Sequence, residues 1–497
     1  MREFLNKNRK EIWVFLLMAS ASFAAFHVTF PGGFVSDDFD ILTIATNSSF
    51  PKLLTSPGWL FVRPLPLCFV KFETLLFGRG PLGYWMVSIL NHAVNGLMLF
   101  LLTRRISGDF FSSVAAGLIF IFMPIFGEPV AWFSCIYDRI CLFFVLAGII
   151  AYIRYLDTGD ARNYIFSLIF FVIALFSKEA ALPFPGLVVL TEAFFCKKAE
   201  TNIKKVALRV APFVLVLLPY FLLRYYIYHG IGGYYDTQGR STLLLFSAAQ
   251  TVQALSSLPG YLLFPINRLL RPNLLSIYIG FGALYALLAV SAVFLSSHGW
   301  GLKPMLFGLI WMAATVVPVV NLLPLSSGLA GGRLLYIPAA GFAIFMSSFF
   351  LTAKKWPWFS KALKFAPLVA LLCGYSYIDN INYSIWTRAY SIAHSITSQV
   401  FERHPVLPAE TSLYFIGVPD NFDGAYVYHN CLEEAINLTY GYNGSRHVKV
   451  FCRDDDGSIR GEPTTNFDDM MRKGGKTVYV FNYSELADKL VQVYPGR

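Results

Sequence analysis

Apolar residues fall in blocks along most of this chain, separated by short polar segments. The blocks are about 18 to 23 residues long, the length that a helix needs to cross a bilayer with a hydrocarbon core of roughly 30 Å. The first block, residues 12–30, follows a basic N-terminus and carries no signal-peptide cleavage site, so we expect it to remain as an uncleaved span. The pattern predicts an α-helical polytopic membrane protein.

Lys and Arg between the blocks indicate the orientation, because short cytoplasmic loops are enriched in these residues. Basic clusters at residues 1–10, 104–105 and 197–205 place the N-terminus in the cytoplasm. The predicted spans are residues 12–30, 84–102, 111–125, 140–155, 164–176, 181–195, 206–223, 275–296, 304–322, 334–352 and 365–380.

Segment 242–266 decides the total number of spans. It is apolar, but Ser256-Ser257 and Pro259-Gly260 interrupt it. Lys354-Lys355 should be cytoplasmic, which requires that 242–266 does not cross. We therefore predict an interfacial or re-entrant helix on the outer side, about eleven spans and an outer C-terminus. If 242–266 crosses, the spans number twelve and the tail moves inside.

The tail differs in composition from the rest of the chain, so we divide the protein into a membrane domain, residues 1–380, and a small C-terminal α/β soluble domain, residues 381–497. Branched and aromatic residues predict strands at 413–417, 448–451 and 477–481. Segments 431–438 and 484–493 are predicted to be helices.

The composition agrees with a membrane location. Hydrophobic residues make up 56% of the chain and charged residues 14%, against roughly 25% charged in soluble proteins. The net charge of +10 comes from Lys and Arg in short loops, so it does not indicate a nucleic-acid partner. Among seven scattered cysteines, only Cys431 and Cys452 lie in the tail. They could pair on an oxidising side or remain two buried thiols.

Adjacent carboxylates follow the first span on the predicted outer side. Asp37 and Asp38 stand next to each other, and Asp40 is close by. One carboxylate of such a pair can act as general base for a hydroxyl, while its neighbour orients it or holds a cation. The alternative is a solvated turn that caps a helix.

Further charged residues lie at the same predicted depth, where membrane proteins rarely keep charges for packing alone. An Arg in a Gly-rich turn, as at Arg333, suits a phosphate, although it could also extend to lipid headgroups. Lys178 and Glu179 could instead form a local ion pair. The other members are Arg63, Glu128, Asp138 and Arg139. Together they fit a site for a lipid-linked phosphate with its head group outside.

Several motifs give the chain a family resemblance. Gly127-Glu-Pro-Val-Ala-Trp, Leu175-Phe-Ser-Lys-Glu179 and Arg333-Leu-Leu-Tyr-Ile-Pro338 resemble the transmembrane part of the TPR-containing protein O-mannosyltransferases and their bacterial, aminoarabinose-transferase-like relatives. The resemblance covers about residues 10–380 and places the chain with the GT-C superfamily of membrane glycosyltransferases. The acidic residue that commonly precedes the late Arg is Gly332 here, and no TPR repeats follow.

The resemblance implies a reaction and roles for individual residues. Asp37 would deprotonate an acceptor hydroxyl with Asp38 as its partner, and the hydroxyl would displace a polyprenyl phosphate from the sugar with inversion. The implied phosphate-binding residues are Arg333, Lys178, Arg139 and Arg63, supported by Glu128, Asp138, Glu179, Tyr336 and Asp40. The donor is already activated, so no cofactor is required. A divalent cation assists some members, and Asp37 and Asp38 would hold it.

The expected partners are a polyprenyl-phosphate-linked sugar, the lipid bilayer and a glycan, lipid or protein acceptor. We expect a bacterial inner membrane, with the N-terminus cytoplasmic and the C-terminal domain periplasmic. Three alternatives stay open. They are a glycan ligase or polymerase, a non-enzymatic flippase or transporter of lipid-linked sugars, and a membrane scaffold. The gathering of charges at the outer surface favours a transferase.

Overall fold

The computed structural model describes residues 9–55, 61–196, 202–230, 232–233, 248–270, 274–295, 302–323, 325–350, 358–408, 410–441, 448–453, 458–459, 462–466, 477–484 and 487–494. Helices dominate as far as residue 403, and strands follow. The first eight helices are α1 (Arg9–Phe26), α2 (Asp38–Asn47), α3 (Phe50–Thr55), α4 (Pro64–Phe77), α5 (Pro81–Ser107), α6 (Phe110–Ile121), α7 (Ile136–Thr158) and α8 (Ala161–Leu175). The next seven are α9 (Phe184–Phe195), α10 (Ile203–Tyr228), α11 (Ala248–Leu263), α12 (Leu275–Leu295), α13 (Leu302–Val316), α14 (Tyr336–Ser347) and α15 (Trp358–Arg403).

Seven helical segments in the described part of the chain are long and apolar enough to cross a membrane. They are Arg9–Thr29, Pro81–Ser107, Phe110–Ala131, Phe133–Thr158, Ile203–Tyr228, Leu302–Leu322 and Gly332–Phe350. Two shorter apolar helices are Ala161–Leu175 and Leu275–Val290. The expected multi-pass membrane protein is therefore confirmed. The orientation stays a prediction, and Lys354-Lys355, on which it partly rests, lie outside the described residues.

Chain reversals on one side of the membrane unit follow from local chemistry. Gly108 and Gly159 end α5 and α7 with φ angles of 69° and 70°, the left-handed conformation that glycine adopts without steric cost. Asp109 and Asp160 then cap α6 and α8, each accepting a backbone hydrogen bond from the first helical turn. These pairs turn the chain tightly between successive spans.

Among the described residues after 403, the C-terminal part contains a six-stranded sheet and one helix, α16 (Leu432–Thr439). Its strands are β1 (Thr411–Ile416), β4 (Val448–Arg453), β5 (Ser458–Ile459), β6 (Glu462–Asn466), β7 (Thr477–Ser484) and β8 (Lys489–Tyr494), in the order β6-β5-β4-β1-β7-β8. A separate two-stranded ribbon pairs β2 (Asn421–Phe422) with β3 (Ala425–Tyr426). The three predicted strands form the parallel centre of the sheet, β4-β1-β7.

One prediction for the tail is wrong. The described residues of segment 484–493 are not helical: Ser484 ends β7, residues 487–488 form a turn, and residues 489–493 belong to β8, which pairs antiparallel with β7. Leu490 is buried while Val491 and Val493 are about half exposed, a period of two that belongs to a strand. The prediction for 431–438 is confirmed by α16.

The tail shares a hydrophobic core with the membrane unit. Helix α15 runs for 46 residues through the predicted boundary at residue 380 and carries its later turns into the C-terminal part. Val35, Phe39 and Trp132 from the membrane unit pack in one cluster with Ile396 of α15 and Phe415 of β1. The C-terminal part is therefore held against the predicted outer face by burial of apolar surface.

Candidate active site

Asp38 is a buried anchor of residues 31–47, which follow the first span on the predicted outer side and which we call the first outer segment. Its side chain is fully buried at the start of α2, and Oδ1 accepts hydrogen bonds from the Ser134 amide at 2.7 Å and the Ser134 hydroxyl at 2.5 Å. Oδ2 accepts from the Val35 amide at 2.9 Å. Burial raises the pKa of Asp38, and these hydrogen bonds lower it. Burial is the larger effect, so the pKa of Asp38 is about 7. Asp38 thus ties the first outer segment to residues 133–135.

Asp37 is the more accessible carboxylate of the pair. It is half-buried, and its Oδ1 accepts a hydrogen bond from the side-chain amide of Asn430 at 3.1 Å and a longer one from Ser36 at 3.4 Å. Its Oδ2 accepts no hydrogen bond from the residues that the structure describes. Of the two carboxylates, Asp37 is therefore the one with an oxygen left to take a proton.

Asp40 lies where α2 packs against α16. Burial, and then the carboxylates of Glu434 and Asp37, raise its pKa to about 6. The folded protein therefore holds this proton more tightly than the unfolded chain, and ionised Asp40 destabilises the fold as pH rises through about 4 to 6.

Asp40→Asn should stabilise the protein at pH 7.5 by about 1 to 2 kcal/mol, after allowance for partial solvent exposure, and leave it unchanged near pH 4. Denaturant unfolding in detergent at both pH values measures this difference. Equal stabilisation at the two pH values would show that the charge of Asp40 is not the cause.

A second group of predicted residues lines one cavity of about 360 Å³, which we call the cation pocket. Arg63, the adjacent Lys178 and Glu179, and Arg333 come from three segments that are distant in sequence and meet here. The remaining lining residues are Phe61, Ala180, Gly233, Pro318, Val319, Leu322, Ser326, Ala330, Gly331, Leu334 and Tyr426. The pocket is thus apolar on several sides and carries three cations.

Each cation of the pocket is paired with a carboxylate, of which those of Asp138 and Glu128 are buried and that of Glu179 is partly buried. Arg63 donates to both oxygens of Glu179, and Lys178 donates at 2.6 Å to both oxygens of Asp138. Arg333 contacts Glu128, which is 4% exposed. Buried charges are retained only when they are paired in this way. The pairs fix the cations in place before any ligand arrives.

The Arg63–Glu179 pair stays ionised over a wide pH range. Burial of Glu179 would raise its pKa, but the Arg63 guanidinium outweighs burial and lowers that pKa to about 2. Burial likewise opposes the charge of Arg63, yet Glu179 raises the pKa of Arg63 above its usual value. This pair contributes stability above about pH 4.5 that is lost only as pH falls toward 2.

Glu128 supplies the acidic partner that the sequence next to Arg333 lacks. Its Oε2 accepts a hydrogen bond from the backbone amide of Arg333 at 3.0 Å, and its Oε1 contacts the guanidinium. A Cβ on Gly332 would lie 2.6 Å from the carbonyl oxygen of Ile125, so a side chain does not fit there. The carboxylate therefore reaches Arg333 from the segment between α6 and α7.

Arg139 and Tyr336 lie away from the cation pocket. Arg139 is 1% exposed and donates to the carbonyl of Pro129 at 2.5 Å and to Ser88 at 2.9 Å. The Tyr336 hydroxyl contacts His92 at 2.7 Å and Asn95 at 3.3 Å. These interhelical hydrogen bonds hold the segments that carry the site.

Tyr137 lies between the two groups of charges. Its ring is 5.4 Å from the guanidinium carbon of Arg63, and its phenol is within electrostatic reach of Asp37 and Asp40. The carboxylates of the first outer segment and the cation pocket are therefore neighbours. In the part of the chain that the structure describes, no three His, Cys, Asp or Glu side chains converge on a metal-sized site. Asp38 is fully buried with both oxygens hydrogen-bonded, so Asp37 is the more accessible carboxylate of the pair.

Sequence reasoning missed two residues of the tail at this site. Asn430 contacts Asp37, and Tyr426 lines the cation pocket with its ring 4.9 Å from that of Trp132. The guanidinium of Arg333 lies over Trp132 at 5.2 Å. No motif marks either tail residue, because only the docking of the tail brings them here. Cys431 and Cys452 are free thiols in this structure.

A separate cleft of about 540 Å³, which we call the lateral cleft, lies beside the first outer segment. Phe30, Phe34 and Phe39 line it with Tyr390 and His394 of α15. None of the predicted site residues lines this cleft. It is a second cavity next to the proposed base and is distinct from the cation pocket.

Comparisons with known proteins identify the fold. No family model matches the chain. The crystal structure of ArnT from Cupriavidus metallidurans in the apo state aligns over 95% of this chain and 93% of its own, with a TM-score of 0.54 and 12% identity. The same protein bound to undecaprenyl phosphate gives a TM-score of 0.50 and 13% identity, with the same coverage.

One curated protein matches a short part of the sequence. It is the protein O-mannosyl-transferase Tmtc1 of Drosophila melanogaster, 29% identical over 119 residues. The match covers 24% of this chain and only 14% of that protein. The predicted resemblance to the GT-C superfamily is thus confirmed in the fold, and the chain is a multi-pass membrane protein with a GT-C glycosyltransferase-like fold.

Proposed function

We propose that this protein transfers a sugar from a polyprenyl-phosphate-linked donor to an acceptor hydroxyl on the extracytoplasmic side. The observation that carries the proposal is the cation pocket, where Arg63, Lys178 and Arg333 meet next to the carboxylate segment of Asp37. A phosphate on a lipid and a nearby base are the two things that such a transfer needs.

The chemistry of the pocket suits a phosphate. An arginine carries five N–H donors and a lysine three. Arg63 uses two of its donors on Glu179, and the others are available within the described residues. Guanidinium groups bind phosphate oxygens through parallel hydrogen bonds, and apolar walls strengthen those bonds by excluding water. Leu322, Leu334 and Val319 supply such walls.

Asp37 is proposed as the general base. Its free oxygen takes the proton of the acceptor hydroxyl, and the hydroxyl oxygen forms a bond to the anomeric carbon. The bond from that carbon to the phosphate oxygen breaks, and the lipid phosphate leaves with the electron pair. Arg63, Lys178 and Arg333 stabilise the charge that grows on the phosphate. Attack opposite the leaving group inverts the anomeric configuration.

The structural neighbours support this reading of the pocket. One of them is an ArnT bound to undecaprenyl phosphate, and the matched Drosophila protein is named as a protein O-mannosyl-transferase. We propose a bacterial inner membrane as the location, with the N-terminus in the cytoplasm and the C-terminal domain in the periplasm. The acceptor is a glycan, a lipid or a protein.

Transfer of radiolabelled sugar by the purified protein tests the proposal. A panel of polyprenyl-phosphate monosaccharides is offered with membrane extracts as the source of acceptor. Label that moves from one donor to a new product supports a monosaccharide transferase. Transfer only from lipid-linked oligosaccharides would replace it with a glycan ligase. Movement of the intact donor across vesicle membranes without transfer would replace it with a flippase.

A further inference from the structure

We infer that the C-terminal domain completes the active site, and that Asn430 is the positioning residue that orients Asp37. This inference rests on the proposed function. The side-chain amide of Asn430 donates to Oδ1 of Asp37 at 3.1 Å, across 393 residues of sequence. One oxygen of Asp37 is thereby engaged and the other is left for the proton of the acceptor.

Backbone contacts fix where Asn430 stands. The segment 420–431, which we call the site loop, approaches the first outer segment from the tail. The Ser36 amide donates to the carbonyl of Val427 at 2.8 Å, and the Asn430 amide donates to the Ser36 hydroxyl at 3.4 Å. Asn430 therefore contacts residue 36 through its backbone and residue 37 through its side chain.

Buried aromatic contacts hold the site loop itself. Tyr428 is 1% exposed, its ring stacks on Phe39 at 5.8 Å, and its hydroxyl donates to the carbonyl of Ala393 at 2.9 Å. Helix α16 follows directly at Leu432 and packs on α2. The side chain of Asn430 is exposed, but its backbone lies between these two buried contacts, which place its amide within hydrogen-bond distance of Asp37.

A neutral donor suits the charge around Asp37. Asp38 and Asp40 lie in the first turn of α2, directly after Asp37; Tyr137 faces it from α7, and Cys431 faces it from the site loop. Glu434 of α16 acts on the adjacent Asp40. A cation at residue 430 would neutralise the base, and an acid would add to an already acidic group. An amide orients Asp37 and leaves its charge unchanged.

Two substitutions at residue 430 separate positioning from mere packing. Asn430→Ala removes the donor and should lower kcat about 10- to 100-fold with little change in KM for the donor, because the base is misplaced while the cation pocket is intact. Asn430→Asp adds a carboxylate beside Asp37. It should move the acidic limb of the pH–rate profile upward by about one pH unit, because a like charge disfavours the ionised base.

Asn421→Ala is the matched control. Asn421 lies in the same site loop and is exposed, and within the described residues its side-chain amide donates to the neighbouring Asp420 at 3.2 Å and not to Asp37. It should keep the kcat and the pH profile of the wild type. If Asn430→Ala equals Asn421→Ala while the wild type transfers sugar, the inference is overturned and the proposed function stands. If the wild type transfers sugar from no donor, the proposed function fails and the inference fails with it.

Discussion

Asp37→Asn should lower the rate of sugar transfer by about 10³-fold and leave donor binding within about twofold of the wild type. The substitution removes the proton acceptor, and general bases contribute effects of about this size. Asp37 does not line the cation pocket, so the phosphate contacts should persist. Single-turnover transfer and binding of polyprenyl phosphate, both on the purified variant, measure the two quantities separately.

Asp38→Asn is the comparison variant, because it separates loss of catalysis from loss of stability. Both carboxylate oxygens of Asp38 accept hydrogen bonds, one from the Val35 amide and the other from Ser134. In the asparagine variant an NH2 group replaces one of these oxygens, so in either orientation of the side chain a donor faces another donor. This variant should therefore lose thermal stability, whereas Asp37→Asn should melt like the wild type. Undiminished transfer by folded Asp37→Asn would remove Asp37 from the role of base.

Arg333→Ala should weaken donor binding about 100-fold and also destabilise the protein. It removes one of three phosphate-binding cations, and it leaves Glu128 with an uncompensated buried charge. Loss of one partner of a buried pair costs roughly 3 to 5 kcal/mol. Polyprenyl phosphate binding and thermal melting in detergent measure the two effects.

The double variant Arg333→Ala with Glu128→Gln separates the two effects. The second substitution removes the stranded charge, so stability should largely return while binding stays weak. Arg388→Ala is the control, since Arg388 pairs with Asp488 at 3.4 Å at an exposed site. Binding that recovers together with stability would mean that Arg333 supports the fold and does not contact the phosphate.

The membrane unit was largely predictable from the sequence. Apolar length marks spans such as 84–102, because a bilayer tolerates few unpaired polar groups. The charged residues at the predicted outer ends of the spans could be recognised for the same reason. Their ion-pair partners could not be predicted in the same way. Lys178 and Glu179 are neighbours in sequence, yet Lys178 pairs with Asp138 and Glu179 pairs with Arg63. Such partners depend on how the helices pack, which spacing along the chain does not encode.

The roles of single residues were harder to predict than their presence. Arg139 has the charge expected of a phosphate ligand, but its guanidinium is used on backbone carbonyls between α6 and α7. Asp38 looks equivalent to Asp37 in sequence, and the two differ in burial and in their hydrogen-bond partners. In the tail, 484–493 has the apolar content of a short helix, and pairing with β7 decides the outcome. These differences arise from tertiary contacts.

The most direct test of the proposed donor site is a cryo-electron microscopy map of the protein with a bound polyprenyl phosphate. We predict phosphate density in the cation pocket, in contact with Arg63, Lys178 and Arg333. Phosphate density in the lateral cleft beside His394, with the cation pocket empty, would contradict the account. That result would assign donor binding to the lateral cleft. The three ion pairs of the cation pocket would then have only a structural role.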